Sequence, residues 1–427
     1  MTDQILPSSL QKILTSQQAQ RAELLAERAL KSTDMPLRFW NQHAHFTTPA
    51  TGTPEKAITG LGPVKKLLTK FEITPEDIAE YTGAPVETLT AILNQKSRFT
   101  PQVMVDVEDA VALNEESIIK GRAGAMRVFT EAEWGTTLRF YRPGGLGLTS
   151  CIEDVLNVLY SVGKDCAPED YPIDGIVWPK IEHASEMTWV CNMLASVEKE
   201  LGLEENQIKL QFLVESGYCL KQLEQICQAC APRLTAIIWG IADYAADANL
   251  PEITNNHPVC DWARFEIVNM AGAMNVPAID NMTINYPTPV HRGADLTSEQ
   301  KAANKNKILG ALKSVYDDAM HGINLGMGGK WVGHPLQLYM VMVAYRSTLS
   351  VEQIESDLNE VSAYSDSVDS GAGAVIIGEG LDGYMADRAT DRHLRARLRR
   401  ATALGLLDAD KALSLDLISK EECAQLG

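Results

Sequence analysis

Eight short apolar runs recur along the chain, at 44–49, 102–106, 137–142, 174–179, 208–215, 234–240, 278–284 and 328–333, with helical patterning between them. Each is bounded by Gly, Pro or Asp, and most are rich in Val, Ile or Trp, as strands buried on both faces require. Strand alternating with helix implies a parallel sheet, and eight repeats in roughly 300 residues suit a closed barrel better than an open sheet. The sequence therefore predicts an α/β chain built on a (β/α)8 TIM barrel. In such a barrel the chemistry sits at the carboxyl ends of the strands. Here those ends read Asp106-Val107-Glu108-Asp109, Arg142, Lys180-Ile181-Glu182, Glu215, Asp243, Asp280 and His334. So many ionisable groups after apolar runs are costly unless they face one shared, wet or metal-bound pocket.

Other segments fall outside the repeat. Residues 1–35 read as an N-terminal helical segment, 36–345 as the barrel, and 350–427 as a C-terminal lid domain. A helical insert, 61–100, lies between the first helix and the second strand. Thr74-Pro75-Glu76-Asp77 is a helix-start signal, Gly83 a turn, and 86–93 a second short helix. That pattern resembles a helix-turn-helix, but Lys65, Lys66, Lys70, Lys96 and Arg98 are balanced by Glu72, Glu76, Asp77, Glu80 and Glu87. A DNA-reading helix carries a basic excess, so a packing or oligomer-contact insert is expected. In the tail, Gly371-Ala372-Gly373 reads as a hinge, 375–377 as a strand, and about 391–400 as a basic helix.

Forty-five per cent hydrophobic and 22% charged residues mark a globular chain, and a formal charge of −18 repels a phosphate backbone. No nucleic-acid partner is expected. Met1 to Lys31 lacks an apolar signal core, no run reaches the ~18 apolar residues of a membrane span, and eight scattered cysteines fit a reducing compartment. A cytoplasmic protein without a membrane contact is expected. Cys227 and Cys230, the one close pair, lack the second pair or histidines a zinc site needs, and read as half-buried helix thiols.

Phe212-Leu213-Val214-Glu215 places an acid directly after a buried strand, and Ile237-Ile238-Trp239-Gly240-Ile241-Ala242-Asp243 repeats this one strand on. Two carboxylates from adjacent strand ends suit one Mg²⁺ and leave positions for substrate oxygens. With Asp106-Val107-Glu108-Asp109-Ala110-Val111, Gly175-Ile176-Val177-Trp178-Pro179-Lys180-Ile181-Glu182, Gly329-Lys330-Trp331-Val332-Gly333-His334-Pro335, Gly373-Ala374-Val375-Ile376 and Gly383-Tyr384-Met385-Ala386-Asp387, the sequence resembles the citrate lyase β-subunit / malyl-CoA lyase family, related to malate synthases. The motifs follow the family order over roughly residues 40–60 and 100–405.

The resemblance implies that Glu215 and Asp243 bind Mg²⁺, with Mn²⁺ a possible substitute. It implies that Arg142 stabilises the enolate oxygen of an acyl-CoA thioester, and that Asp106 and Glu108 orient metal-bound water and the arginine. Asp387, on the lid, would move a proton at the thioester α-carbon. Pro49 and Lys56, after the first strand, would meet coenzyme A. The implied partners are acyl-CoA and 2-oxoacid substrates and further copies of the chain, as a trimer or hexamer that exchanges lids. Arg139 competes with Arg142; the spacing of Arg142-Pro143-Gly144-Gly145-Leu146 favours the latter. Ala50 and Ala242 replace residues usual in the family, a glycine and an acid.

The expected reaction is Mg²⁺-dependent cleavage, or formation, of a 3-hydroxyacyl-CoA such as malyl-CoA. A malate synthase-like condensation with thioester hydrolysis, a CoA-independent 2-oxoacid aldolase, and a DNA-binding regulator on a retired barrel are the alternatives. His334 reads as a packed, hydrogen-bonded residue. Arg392, Arg395, Arg397, Arg399 and Arg400 read either as a phosphate lure or as a solvated helix face pairing with the acidic body.

Overall fold

A computed structural model describes residues 7–27, 35–112, 114–255, 257–378 and 383–426. Residues 1–6 and 28–34 of the expected N-terminal segment, and 379–382 of the expected lid, lie outside the described residues. Eight parallel strands close into a barrel: β1 Ala44–Pro49, β2 Gln102–Asp106, β3 Leu138–Arg142, β4 Gly175–Trp178, β5 Lys209–Val214, β6 Leu234–Trp239, β7 Ala278–Asp280 and β8 Gly329–Val332. β8 returns to β1, pairing Lys330 with Ala44 and Val332 with Phe46. The strands lie within a residue or two of the apolar runs, except β7. Beyond Asp280 the chain leaves the ladder and is held by side chains instead: Asn281 Nδ2 donates to Met282 O, and Gln337 Nε2 to Thr283 O.

The floor of the barrel, at the amino ends of the strands, is a buried polar layer. Gln102 donates to Gln211 at 2.8 Å, Gln211 donates to Gln42 at 2.8 Å, and His45 lies 3.0 Å from Gln102. Amides sealed from water need such mutual satisfaction. Among the strand-end acids, Asp280 is one that does not face a pocket. It is buried between the Arg264 guanidinium and the Lys330 ammonium, at 2.7 and 3.0 Å, and serves the packing.

After β1 come four helices: α1 of Glu55–Ile58, α2 of Val64–Lys70, α3 of Pro75–Thr82 and α4 of Val86–Asn94. (The helix Ser8–Glu27 precedes them, and its described side chains are exposed.) Thr74 and Asp77 form a reciprocal capping box, and Gly83 closes α3 with φ 79°. The four-residue α1 packs on β1 and β2, and α2 to α4 complete the insert. They pack on α5, Ser298–Asn324, and α6, Pro335–Ser347, the helices flanking β8. Tyr339 Oη donates to Leu89 O at 3.0 Å, and Lys305 pairs with Asp77 at 2.8 Å. The insert's charges thus meet barrel helices.

The C-terminal unit has its own core. Helix α7, Val351–Asp369, turns at Gly371 into an antiparallel hairpin, β9 Ala374–Ile377 with β10 Tyr384–Asp387, followed by α8, Arg388–Ala403. Ile354, Val361, Leu394 and Leu398 pack with Leu37, and the Arg400 guanidinium lies over the Trp40 ring. Leu37 and Trp40 precede β1, so the unit is anchored beneath the barrel, opposite the carboxyl ends of the strands. Cys227 and Cys230 are fully buried rather than half-buried, and all eight cysteines are free thiols. Among the described residues no helix is long and apolar enough to cross a membrane.

Ile78 in α3 is fully buried. Ile78→Ala should cost about 2–4 kcal/mol of stability. Because the insert packs on barrel helices, urea unfolding followed by tryptophan fluorescence should remain a single transition, with its midpoint lowered. A separate early transition for the variant would show that the insert is an independent appendage.

Candidate active site

Asp106 and Arg142 are cross-strand neighbours at the ends of β2 and β3. Both are buried, and Arg142 donates from Nε and Nη2 to the two carboxylate oxygens, at 2.8 and 2.6 Å. Asp106 also accepts the Glu108 and Ala110 backbone N–H groups, at 2.9 and 3.2 Å. The fork is therefore locked. Its third nitrogen, Nη1, has no hydrogen-bond partner among the described residues and makes only long contacts with Glu108 and Asp109, at 3.5 and 3.6 Å. Beside the guanidinium, 5.3 Å away, stands the Trp331 ring.

Glu215 follows β5 directly and is buried. Gly240, at the end of β6, makes room for it: a Cβ there would lie 2.5 Å from Glu215 Cγ. Lys180 takes a left-handed backbone, φ 51°, rare without glycine, and so aims its N–H at Glu215 Oε2 at 2.8 Å. Its ammonium lies 2.5 Å from Glu108, 3.0 Å from Asp109 and 3.9 Å from Asp243. Ligand oxygens of Asp109, Glu215 and Asp243 lie within 4.8 Å of one another. A buried anchor with two more accessible carboxylates is a hard-oxygen donor set with room for further ligands, and it fits Mg²⁺.

Asp106, Asp109, Arg142, Glu215 and Asp243 line a cavity of about 390 Å³ at the mouth of the barrel, together with Thr47, Pro49, Met282 and Tyr286. Burial pushes the Glu215 carboxyl up to about 7, the Arg142 charge opposing it. Burial likewise pushes Glu108 up to about 7. Burial also works against ionisation of Asp109, but its link to Glu108, the Arg142 charge and Lys180 outweigh this and hold it low.

The structure thus brings together Pro49, Asp106, Arg142, Glu215 and Asp243 around one cavity, with Glu108 behind it against Lys180. It does not bring Lys56 or Asp387 there. Lys56 is exposed on α1, outside the cavity lining. Asp387 caps α8, accepting from Ala389 N and Thr390 N at 2.9 and 3.1 Å, and these bonds hold its carboxyl below the usual range rather than raising it. Arg139 lies at the amino end of β3, where it pairs with Asp174 at 3.0 Å. His334 caps α6, its Nδ1 accepting from Leu336 N. Sequence reasoning missed Asp109 as a third acid beside Glu215 and Asp243, and Lys180 as the cation among them. Both stand within motifs already noted, but only side-chain direction distinguishes them.

Residues 155–426 match the family described as Domain of unknown function (DUF6986). The chain belongs to this family. It is also similar to the L-malyl-CoA/beta-methylmalyl-CoA lyase of Haloarcula marismortui, 24% identical over 351 residues, covering 79% of this chain and 91% of that one. The citrate lyase subunit beta of Haemophilus influenzae is 25% identical over 305 residues, 70% of this chain and 90% of its own. The solved citrate lyase of Burkholderia xenovorans LB400 shares the fold, with TM-score 0.54, 18% identity, and coverage of 80% of this chain and 91% of its own. The resemblance to malyl-CoA lyases and citrate lyase β subunits is borne out, and the DUF6986 chain's named relatives are carbon–carbon lyases.

A raised carboxyl carries a sign. The folded site keeps protons that the unfolded chain releases between pH 4.5 and about 7, so in metal-free protein the folded state loses stability as pH rises through that window. Glu215→Gln should therefore raise the Tm in EDTA at about pH 8, and not at about pH 5. The same variant should bind Mg²⁺ at least about 10-fold more weakly in calorimetric titration. An unchanged Tm at the higher pH would show that Glu215 is not held against its charge.

Proposed function

We propose that this chain is a Mg²⁺-dependent lyase that cleaves, and in reverse forms, a 3-hydroxyacyl-CoA such as malyl-CoA, giving a glyoxylate-like 2-oxoacid and a shorter acyl-CoA. The observation that carries this reading is the unpartnered Nη1 of Arg142, locked beside the Asp109, Glu215 and Asp243 oxygens. Glu215 and Asp243, with Asp109, would hold the ion. When bound it supplies Lewis-acid polarisation of a 2-oxoacid oxygen and offsets substrate charge.

The protein's own groups account for the other half of the reaction. As the 3-hydroxyl gives its proton to solvent and its oxygen becomes the carbonyl of the 2-oxoacid, the carbon–carbon bond breaks and its electron pair passes onto the thioester. A fixed guanidinium N–H facing that oxygen stabilises the developing enolate without reorganising. Asp106 holds the fork in register, and Glu108 and Lys180 set the charge beside it. Pro49 contributes to the wall that receives the thioester, and Lys56, after β1, would meet coenzyme A phosphates. Protonation of the α-carbon falls to Asp387 of a second copy, because within one copy the C-terminal unit is anchored beneath the barrel. Lid exchange in a trimer or hexamer follows from that assignment.

Release of a 2-oxoacid from a panel of hydroxyacyl-CoA thioesters, with free CoA followed separately, should show cleavage that needs Mg²⁺. Stoichiometric CoA release would instead support thioester hydrolysis. Arg142→Lys keeps the charge but loses the fork, and should lower turnover roughly 10²-fold or more. Arg139→Lys should affect stability and leave turnover near normal. The reverse ranking would refute the enolate role of Arg142.

Asp243→Asn and Asp387→Asn should each be nearly inactive. Mixed and reassembled, they should regain part of the activity, since some sites would then combine an intact metal centre with an intact lid. Failure to complement, with both variants folded and oligomeric, would rule out exchange of Asp387 between copies.

A further inference from the structure

A second cavity, of about 290 Å³, opens on the opposite side of the molecule, between the floor of the barrel and the C-terminal unit. The barrel contributes Trp40, His43 and Tyr345, and helix α8 contributes His393, Arg397 and Arg400. Among the described residues no Asp or Glu lines it, in a chain of formal charge −18.

The α8 arginines divide sharply. Arg395 pairs with Asp391 at 2.9 Å, while Arg397 and Arg399 are held by Asp357 and Glu422. Arg400 has no hydrogen bond or ion pair among the described residues; it only faces the Trp40 ring, 5.6 Å from the centroid. Arg346, next to Tyr345, likewise has no side-chain partner among the described residues, and its charge acts on His43. His43 Nδ1 is buried without a hydrogen-bond partner among the described residues. Surrounding protein pushes both guanidinium pKa values down, although Arg400 remains open to solvent through the cavity. A guanidinium without counter-charge on such a wall is stabilised by an anion that accepts its N–H groups.

We propose that this cavity is a binding site for a small organic anion bearing at least two negative charges, a phosphate ester or a dicarboxylate. Its charged end accepts from Arg400, with His43 and His393 at hand, and its carbon skeleton lies against Trp40. The two walls belong to different parts of the chain, so the ligand bridges barrel and C-terminal unit. It thereby tightens the joint on which placement of the lid hairpin depends. This site lies at the amino ends of the strands and is separate from the cavity of Arg142 and Glu215.

The test is calorimetric titration of the full chain, at constant ionic strength, with inorganic pyrophosphate and with succinate. One saturable site per chain is expected for at least one anion. The stronger binder identifies the source as phosphoryl or dicarboxylate. Arg400→Gln should weaken binding at least about 10-fold, while Arg142→Lys leaves it unchanged. Should Arg400→Gln fail to fold, Arg400→Lys, which keeps the charge but loses the guanidinium fork, should still weaken binding measurably. Bound anion should also slow proteolysis between barrel and C-terminal unit. Absence of saturable binding by either anion, or binding lost with Arg142→Lys and kept with Arg400→Gln, would overturn the proposal.

Discussion

The buried, two-pronged ion pair between Asp106 and Arg142 is the contact around which the barrel mouth is organised. Two charges without exposure at adjacent strand ends are tolerable because each satisfies the other, and removing either leaves an uncompensated charge costing about 3–5 kcal/mol. The pairing also does something a generic ion pair does not. It uses Nε and Nη2 and leaves Nη1 directed among acids that hold it only loosely, so one N–H is rigid and still available.

The acids are arranged by backbone as much as by charge. Glu215 occupies the volume that a side chain at residue 240 would fill, and it accepts the N–H of a lysine held at φ 51°. Backbone strain at a site persists only where surrounding structure enforces it. Here Pro179 precedes the strained residue, and the Lys180 ammonium is gripped by Glu108 and Asp109. The same lysine thus orients the Glu215 carboxylate and balances Glu108 and Asp109.

Charge is handled differently below the barrel. Asp280, Arg264 and Lys330 cancel inside the wall, and three of the α8 arginines are paired within the C-terminal unit. Arg400 and Arg346 remain at the joint without such partners. An acidic chain that leaves Arg400 unpaired on a cavity with no Asp or Glu among its described lining residues, and sets the Arg346 charge against His43 of the same wall, has concentrated positive potential at one place.

Much of this was legible in one dimension. Strand periodicity is a local property, so the eight runs foretold eight strands, and β1 and β2 keep the boundaries read from composition. Glu215 and Asp243 could be singled out because an acid directly after a buried strand has few structural uses. What the sequence could not show depends on side-chain direction and on distant partners. Only the Pro-Gly-Gly-Leu that follows Arg142 favoured it over Arg139 in the sequence; in the fold, three residues of strand carry one to Asp174 at the floor and the other to Asp106 at the mouth. Asp280 looked like its fellow strand-end acids until Arg264 and Lys330, brought from other elements, enclosed it. The sequence by itself determined that a parallel barrel would form and that acids would cluster at its mouth, because burial and strand polarity are written residue by residue. Only the tertiary structure decided that the Asp387 unit hangs from Leu37 and Trp40 at the opposite end, because that depends on which apolar surfaces meet across some 350 residues of chain.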